Sequence, residues 1–300
     1  MSAPELRSNP DNFCYRHPDR QSFVLCQRCL RTICAECQTQ MPVGVICPEC
    51  LREQANASGA PRPRRTPRVL RAVRADDSRP LATYAIIGLT FFVFVVTLIP
   101  GARSVVQGAL ALFPPLLYPD FMGTFQPWRL FTVLLVHSGF LHVALNMLAL
   151  WMLGSSLEPM LGRARFLWLY LLGGLGGSVF VVLFGFTSTV VGASGAIFAL
   201  FGALLVIGRH LGANITGIAV VLGINLVITF LPLVTGALGG NMGVQVSWQA
   251  HLGGLVVGAL VGLIYARTRA VRKQRMQRVL LGATAVGLLA LLAVPLALYG

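Results

Sequence analysis

Seven long apolar runs fill the sequence from residue 82 to its end. Each is close to the roughly 20 residues that an α-helix needs to span a bilayer. This pattern predicts an all-α polytopic membrane protein. The runs lie near residues 82–99, 131–153, 166–185, 190–208, 213–234, 247–266 and 279–299.

Charge sets the N-terminal part of the chain apart from these runs. Residues 1–80 contain 13 of the 24 basic and 8 of the 10 acidic residues, and only Asp120 and Glu158 are acidic after them. The formal net charge of +14 would suit a nucleic-acid binder. Arginines beside membrane spans explain it more simply, because they fix topology and meet anionic lipid. We therefore do not expect nucleic acid as a partner.

The basic residues also predict an orientation in the membrane. Arginines within residues 56–80 place the N-terminus in the cytosol. With alternating crossings, the outside loops then contain only Arg103 and Arg129, and seven spans leave the C-terminus outside. The inside loops contain Arg163, Arg165, Arg209, Arg267, Arg269, Arg272, Lys273, Arg275 and Arg278.

All seven cysteines lie between Cys14 and Cys50. The first 50 residues contain no apolar segment typical of a signal peptide, so we expect a reducing cytosol, where metal binding is favoured over disulfides. Four pairs with two-residue spacers supply eight ligands, enough for two structural zinc ions in a domain of residues 1–55. The alternative is a set of free thiols. The pairs are Cys14 with His17, Cys26 with Cys29, Cys34 with Cys37, and Cys47 with Cys50.

This spacing resembles that of B-box and other cross-braced zinc fingers, in which alternate pairs share an ion. Such modules usually bind other proteins, so the resemblance implies a protein partner for residues 1–55. The following residues, 56–80, are rich in proline and arginine and contain little apolar surface to bury. They are predicted to form an extended linker.

Polar side chains near the starts of three apolar runs are the candidate functional residues, because such groups are costly in a membrane. Ser194 and His251 lie about four residues into the fourth and sixth runs, which both cross from outside to inside. At about 1.5 Å of rise per residue, their depths are similar. In the second run, His142 and Asn146 share one helix face, one to two turns below its start.

These positions predict nucleophilic hydrolysis by a pair of residues. Ser194 would be the nucleophile, and His251 its general base and then the acid for the leaving amine. The backbone N–H of Ser194 and the side chains of His142 and Asn146 would form an oxyanion hole. No carboxylate lies at that depth to orient His251, so the sequence predicts a dyad. The alternative is ordinary helix packing around a self-satisfied serine and a core histidine.

Small residues recur along the two helices that would carry the dyad. They occur at Gly195, Ala199 and Gly202 in the fourth run and every four residues in the sixth. Such stripes let helix backbones approach closely in lipid, and a hydrogen bond between a serine and a histidine on different helices needs that approach. In the sixth run the small residues are Gly254, Gly258 and Gly262.

Five motifs follow one another through the apolar part of the chain. They are Gln126-x-Trp128-Arg129, His142-x3-Asn146, Gly154-x3-Glu158-x3-Gly162, Gly192-x-Ser194-Gly195 and Ala250-His251-x2-Gly254-x3-Gly258. In order and spacing, residues 81–270 resemble the rhomboid family of intramembrane serine proteases.

The resemblance implies a six-helix core with a water-filled cavity open to the outside. It also implies cleavage of single-span membrane proteins near their outer membrane boundary, with the roles given above for the four polar residues. Trp128, Arg129 and Glu158 would be structural, with Glu158 organising hydrogen bonds near the first loop, although here it falls on the predicted inner side. The motif glycines Gly192, Gly195, Gly254 and Gly258 would also be structural.

Two features depart from the minimal family pattern: the cysteine-rich domain and a seventh helix within residues 271–300. A rhomboid-like pseudoprotease that binds or escorts membrane proteins is the alternative function, and loss of a dyad residue would mark it. A transporter would show internal repeats and a charge at the membrane midplane. Neither is present in this sequence.

Overall fold

The computed structural model describes residues 10–41, 44–57, 79–237 and 246–299. The chain divides into two compact units, residues 1–72 and 73–300. The division falls within the predicted linker 56–80, most of which lies outside the described residues. We refer to residues 10–57 as the N-terminal unit and to residues 79–299 as the membrane unit.

The described residues of the N-terminal unit form two small antiparallel hairpins, one α-helix, and 3-10 turns at Pro10–Asn12 and Ala35–Cys37. Strand β1 (Phe13–Cys14) pairs with β2 (His17–Gln21), and β3 (Thr39–Gln40) pairs with β4 (Val45–Ile46). Helix α1 spans Pro48–Ala57. The buried side chains are almost all cysteines. So small an apolar core stabilises a fold only weakly. The core consists of Cys14, Cys26, Ile33, Cys34, Cys37, Ile46, Cys47 and Cys50.

The membrane unit is helical. Its main helices are α2 (Leu81–Val96), α3 (Ala102–Leu110), α4 (Pro119–Met122), α5 (Arg129–Thr132), α6 (Phe140–Leu161), α7 (Arg163–Phe184), α8 (Ser194–His210), α9 (Thr216–Ala237), α10 (Trp248–Arg267), α11 (Gln274–Leu291) and α12 (Val294–Tyr299). Short 3-10 turns occur at Pro114–Leu117, Val133–Leu135 and Val271–Lys273.

Each of the seven predicted apolar runs overlaps a helix of this unit. Within the described ranges, four helical segments are long and apolar enough to cross a membrane: α6, α7, α10 and the segment Gln274–Leu298. The apolar helices at Leu81–Val96, Ser194–His210 and Thr216–Leu231 are shorter.

The second run begins later as a helix than the sequence predicts. The expected start was residue 131, whereas α6 starts at Phe140. Residues 129–135 form two short helical turns, and residues 136–139 are not helical. Leu130, Val133 and Val136 are buried in the protein core. The segment is therefore apolar because it packs inside the unit and not because it continues the helix.

Helices α7, α8 and α10 form the centre of the membrane unit, and glycines set their separation. A Cβ added to Gly254 of α10 would lie 1.9 Å from the carbonyl oxygen of Gly195 in α8. One turn further, a Cβ on Gly258 would lie 2.1 Å from the carbonyl oxygen of Ala199. Both distances are far below any van der Waals contact, so the two backbones touch along this seam.

Candidate active site

Ser194 is the first residue of α8, not a residue one turn inside a helix as the sequence predicted. Residues 190–193 come before the helix because Val190 pairs with Leu112 in an isolated β-bridge, and Gly192 has a positive φ of 126°. At the first turn of a helix, the backbone N–H groups have no intrahelical acceptor. Ser194 therefore combines a hydroxyl with an N–H that can bind a ligand oxygen.

His251 is the fourth residue of α10, close to where the sequence placed it, and it is 8% exposed. Its ring stacks on Phe198 of α8, with centroids 4.1 Å apart and planes 13° apart. Its Nδ1 lies 2.7 Å from the hydroxyl oxygen of Thr229 in α9. Sequence reasoning missed both neighbours. Phe198 had a signal, because it lies four residues after Ser194 on the same helix face.

One cavity of about 1760 Å³ connects these residues. Ser194 and His251 line it together with His142 and Asn146 of α6, and α9 supplies part of its wall. The backbones beside the serine and the histidine are in contact, since a Cβ on Gly195 would lie 3.2 Å from the carbonyl oxygen of Ala250. In the part of the chain described, no hydrogen bond joins the Ser194 hydroxyl to His251. Both side chains line the same cavity.

His142 lies in the first turn of α6, shallower than predicted because that helix starts at Phe140. The hydroxyl oxygen of Ser138 lies 2.9 Å from its Nδ1, and the Ser138 backbone N–H donates to the same nitrogen at 3.4 Å. A backbone N–H can only donate, so Nδ1 is an acceptor and the neutral ring carries its proton on Nε2. That nitrogen borders Gly192, where an added Cβ would lie 2.9 Å away.

Asn146 lines the same cavity one helical turn below His142. Its side-chain nitrogen donates to the backbone oxygen of His142 at 2.8 Å, which uses one of its two N–H groups. The second N–H remains for a ligand. His142 and Asn146 thus present N–H donors on the side of the cavity that faces the start of α8.

His137 is a core residue that lies beside the candidate site. It is 1% exposed, and its Nε2 accepts the backbone N–H of Ala193 at 3.4 Å. Its ring lies 4.9 Å from that of His142. It therefore supports the residue that precedes Ser194.

Trp128 and Arg129 bind the C-terminal end of α3. The Arg129 guanidinium donates to the backbone oxygens of Gly108 and, at 2.5 Å, Ala111. The Trp128 indole N–H donates to the backbone oxygen of Ala109 at 3.2 Å. The last carbonyls of a helix lack intrahelical donors and carry partial negative charge, which a cation stabilises.

Glu158 binds the start of α2, a partner that the sequence left open. Its carboxylate accepts the backbone N–H groups of Ala82 and Thr83 and the Thr83 hydroxyl, each at 2.8 Å. These groups belong to the start of α2, not to the first loop. The end of α6 and the start of α2 therefore lie on the same side of the unit.

The eight predicted metal ligands form two clusters. In each, the four possible ligand atoms lie within 4.8 Å of one another. Within the clusters, Cys29 Sγ lies 3.8 Å from Cys47 Sγ, and His17 Nδ1 lies 3.3 Å from Cys34 Sγ. A tetrahedron with metal–sulfur bonds of about 2.3 Å has edges of about 3.8 Å, so both sets fit one metal ion each. The first cluster is Cys14, His17, Cys34 and Cys37, and the second is Cys26, Cys29, Cys47 and Cys50.

The thiols within each cluster differ in acidity. Burial and hydrogen bonds between neighbouring thiols raise the pKa of Cys37 to about 11 and that of Cys50 to about 12. Burial acts the same way on Cys14 and Cys26, but backbone hydrogen bonds outweigh it and lower their pKa to about 6. Several thiolates at such short separations repel one another, and a bound cation would remove that repulsion.

Alternate pairs of the sequence share a cluster, as in cross-braced zinc fingers.

Part of this chain is similar in sequence to known proteins. The family model for the rhomboid domain matches residues 124–268, which contain all five motifs. The chain is 32% identical over 225 residues to "Rhomboid protease GluP" of Bacillus subtilis (strain 168), covering 71% of this chain and 41% of that protein. It is 37% identical over 147 residues to "RHOMBOID-like protein 1" of Arabidopsis thaliana, covering 47% of this chain and 35% of that protein.

A third relative, "Putative rhomboid protease YdcA" of Bacillus subtilis (strain 168), is 44% identical over 79 residues, which is 26% of this chain and 40% of the relative. The chain thus spans less than half the length of each of these relatives. The two cysteine clusters lie outside the residues that the family model matches. By its rhomboid domain at residues 124–268, this multi-pass membrane protein belongs to the rhomboid family.

Proposed function

We propose that this protein is an intramembrane serine protease that cleaves single-span membrane proteins near their outer membrane boundary by a dyad of Ser194 and His251. The observation that carries the proposal is the shared cavity. Ser194 and His251 line it together with His142 and Asn146, which have N–H donors. The name of the relative "Rhomboid protease GluP" supports the reaction class.

In the proposed mechanism, Ser194 Oγ attacks the substrate carbonyl while His251 Nε2 takes the hydroxyl proton. The negative oxygen of the tetrahedral intermediate accepts hydrogen bonds from the Ser194 backbone N–H and from the two side chains of α6. His251 then gives its proton to the amine nitrogen as the peptide bond breaks. Water, deprotonated by His251, attacks the acyl-enzyme, releasing the carboxylic acid and restoring Ser194.

The substrate is proposed to be a transmembrane helix that unwinds near its outer end. A helix buries its carbonyl groups in intrahelical hydrogen bonds, so the bond to be cut must first become extended. Glycine or other helix-weakening residues near the cut favour that step, and small residues fit beside Ser194.

Seven membrane spans, a cytosolic N-terminus and an external C-terminus complete the proposal. The distribution of arginines between alternate loops supports it. Residues 81–270 would form the protease core, and residues 271–300 a basic loop and a seventh span. The two cysteine clusters of residues 1–55 would each hold one structural zinc ion, in a domain that binds a protein partner. Residues 56–80 would link that domain to the core.

A rhomboid-like pseudoprotease, which would bind or escort membrane proteins, predicts the same fold. The presence of both dyad residues favours the protease.

A panel of single-span membrane proteins, reconstituted with the purified protein in liposomes, tests the proposal. The wild-type protein is expected to cut some of them near the outer end of their helix, and more slowly when leucines strengthen that end. Ser194→Ala and His251→Ala are expected to cut none. Cleavage at the same site by either variant would contradict the dyad.

A further inference from the structure

Thr229 of α9 is 2% exposed and has two partners at the same distance. Its Oγ1 lies 2.7 Å from the backbone oxygen of Asn225 and 2.7 Å from Nδ1 of His251. A serine or threonine hydroxyl has one proton to donate and lone pairs to accept. The two partners therefore determine the direction of each hydrogen bond.

The carbonyl oxygen of Asn225 can only accept, so the single Thr229 proton points to it. Thr229 Oγ1 must then accept a hydrogen bond from His251, so the imidazole carries its proton on Nδ1. In the neutral imidazole, Nε2 is left with a free lone pair. That is the nitrogen a general base needs toward Ser194.

Two contacts hold the imidazole from different directions. The hydrogen bond to Thr229 fixes its Nδ1 edge, and the stacking on Phe198, at 4.1 Å and 13°, fixes its face. In the sequence after residue 80, the only carboxylates are Asp120 and Glu158. Glu158 binds the start of α2, and Asp120 does not line the cavity. In this site, a hydroxyl thus occupies the position in which a serine triad has a carboxylate.

We propose that Thr229 is a positioning residue that selects the Nδ1–H tautomer of His251 and fixes the orientation of its ring. The inference rests on the proposed protease function, in which His251 is the general base. The third group of the site therefore comes from α9, a helix that carries neither the serine nor the histidine.

Three substitutions separate this role from packing. Thr229→Val keeps the shape and removes the hydroxyl, whereas Thr229→Ser keeps the hydroxyl. Thr284→Val in α11 is the matched control, because Thr284 also donates to the oxygen four residues back, at 2.9 Å, but does not contact a histidine.

The expected readouts are kcat for a cleaved single-span substrate and nitrogen-15 NMR of histidine-labelled protein in detergent, with His251→Ala used to assign the His251 signal. Thr229→Val is expected to lower kcat by about 10–100-fold, with little change in KM. Losses of this size are typical when a metal-binding histidine loses the hydrogen-bond partner that orients it. Its His251 should lose the Nδ1–H signature. Thr229→Ser and Thr284→Val should retain both the rate and the tautomer.

Equal rates for Thr229→Val and the wild type would overturn the proposal, as would a Thr229→Ser variant as slow as Thr229→Val, since packing would then be the cause. The NMR readout does not need an active enzyme. If the wild type cuts no substrate, an unchanged tautomer in Thr229→Val still refutes the positioning role, and a changed tautomer supports it.

Discussion

Glu158 is one of two carboxylates in the sequence after residue 80, and only 2% of it is exposed. The Arg163 side chain also lies near its carboxylate, with Nε 4.0 Å from Oε1. The carboxylate accepts three hydrogen bonds from Ala82 and Thr83. Donors at a helix start, where the dipole is positive, are a favourable environment for a buried anion. Glu158 therefore joins α6 to α2.

Glu158→Gln is expected to destabilise the membrane unit by about 2–3 kcal/mol. Glutamine has one accepting oxygen in place of two, so in either orientation of its amide at least one of the buried donors on Ala82 and Thr83 is left unpaired. Thermal unfolding in detergent measures the loss, and Asp120→Asn at an exposed carboxylate is the control. An unchanged midpoint for Glu158→Gln would show that these hydrogen bonds contribute little.

The residues that sequence reasoning could identify were those with a local pattern. Ser194 and His251 stood out as polar groups near the starts of apolar runs, and His142 and Asn146 by their four-residue spacing. Thr229 had no such signal, because threonine is common in membrane helices, where its hydroxyl bonds to its own backbone. Only the tertiary packing of α9 on α10 brings it to His251.

At the scale of elements, the hydrophobic pattern predicted that the long helices exist, but it did not predict where each of them begins. The pattern could not separate a lipid-exposed run from apolar residues packed inside the protein, so α6 was placed too early. Likewise, the start of α8 depends on Gly192 and on the bridge between Val190 and Leu112, which join distant parts of the chain. These starts place Ser194 and His142 in the first turns of their helices.

The close contact of α8 and α10 leads to a prediction. Gly254→Ala is expected to separate the helices and abolish cleavage, because its Cβ would meet the backbone of Gly195 at 1.9 Å. A backbone atom cannot move aside as the end of a flexible side chain can. The loss of folding free energy from overpacking here is therefore expected to exceed the usual loss of about 1–3 kcal/mol.

The matched control is Gly282→Ala in α11, where an added Cβ has no atom within 4 Å. Its thermal midpoint should be unchanged or slightly higher, since alanine favours helix by up to about 1 kcal/mol. Size-exclusion profiles and thermal midpoints in detergent compare the two variants. A Gly254→Ala protein with normal stability and cleavage would mean that the helices can move apart freely.

At the scale of the whole molecule, the candidate metal ligands and the candidate active site belong to different units. All eight cluster residues lie between residues 14 and 50, and every residue that lines the cavity lies after residue 137. The sequence predicted the metal ligands from their spacing, and Ser194, His251, His142 and Asn146 from their places in apolar runs. It could not assign the partner of the N-terminal unit, because cysteine spacing specifies a metal site and not a binding surface.

The purified full chain is expected to contain two zinc ions, and removal of residues 1–60 is expected to leave the cleavage rate unchanged. Elemental analysis tests the first statement, and Cys26→Ser should reduce the zinc content by one ion because it breaks only the second cluster. A cleavage assay in detergent tests the second. Fewer than two zinc ions, or lost cleavage by a folded truncated protein, would refute the respective statement.

The central claim is that Ser194 is a nucleophile activated by His251. Labelling with a fluorophosphonate probe tests it most directly, because the probe needs an activated serine and an oxyanion site but no knowledge of the substrate. The wild-type protein is expected to be labelled at Ser194, whereas folded Ser194→Ala or His251→Ala protein is expected to remain unlabelled. Full labelling of folded Ser194→Ala protein, or of His251→Ala protein, would contradict it.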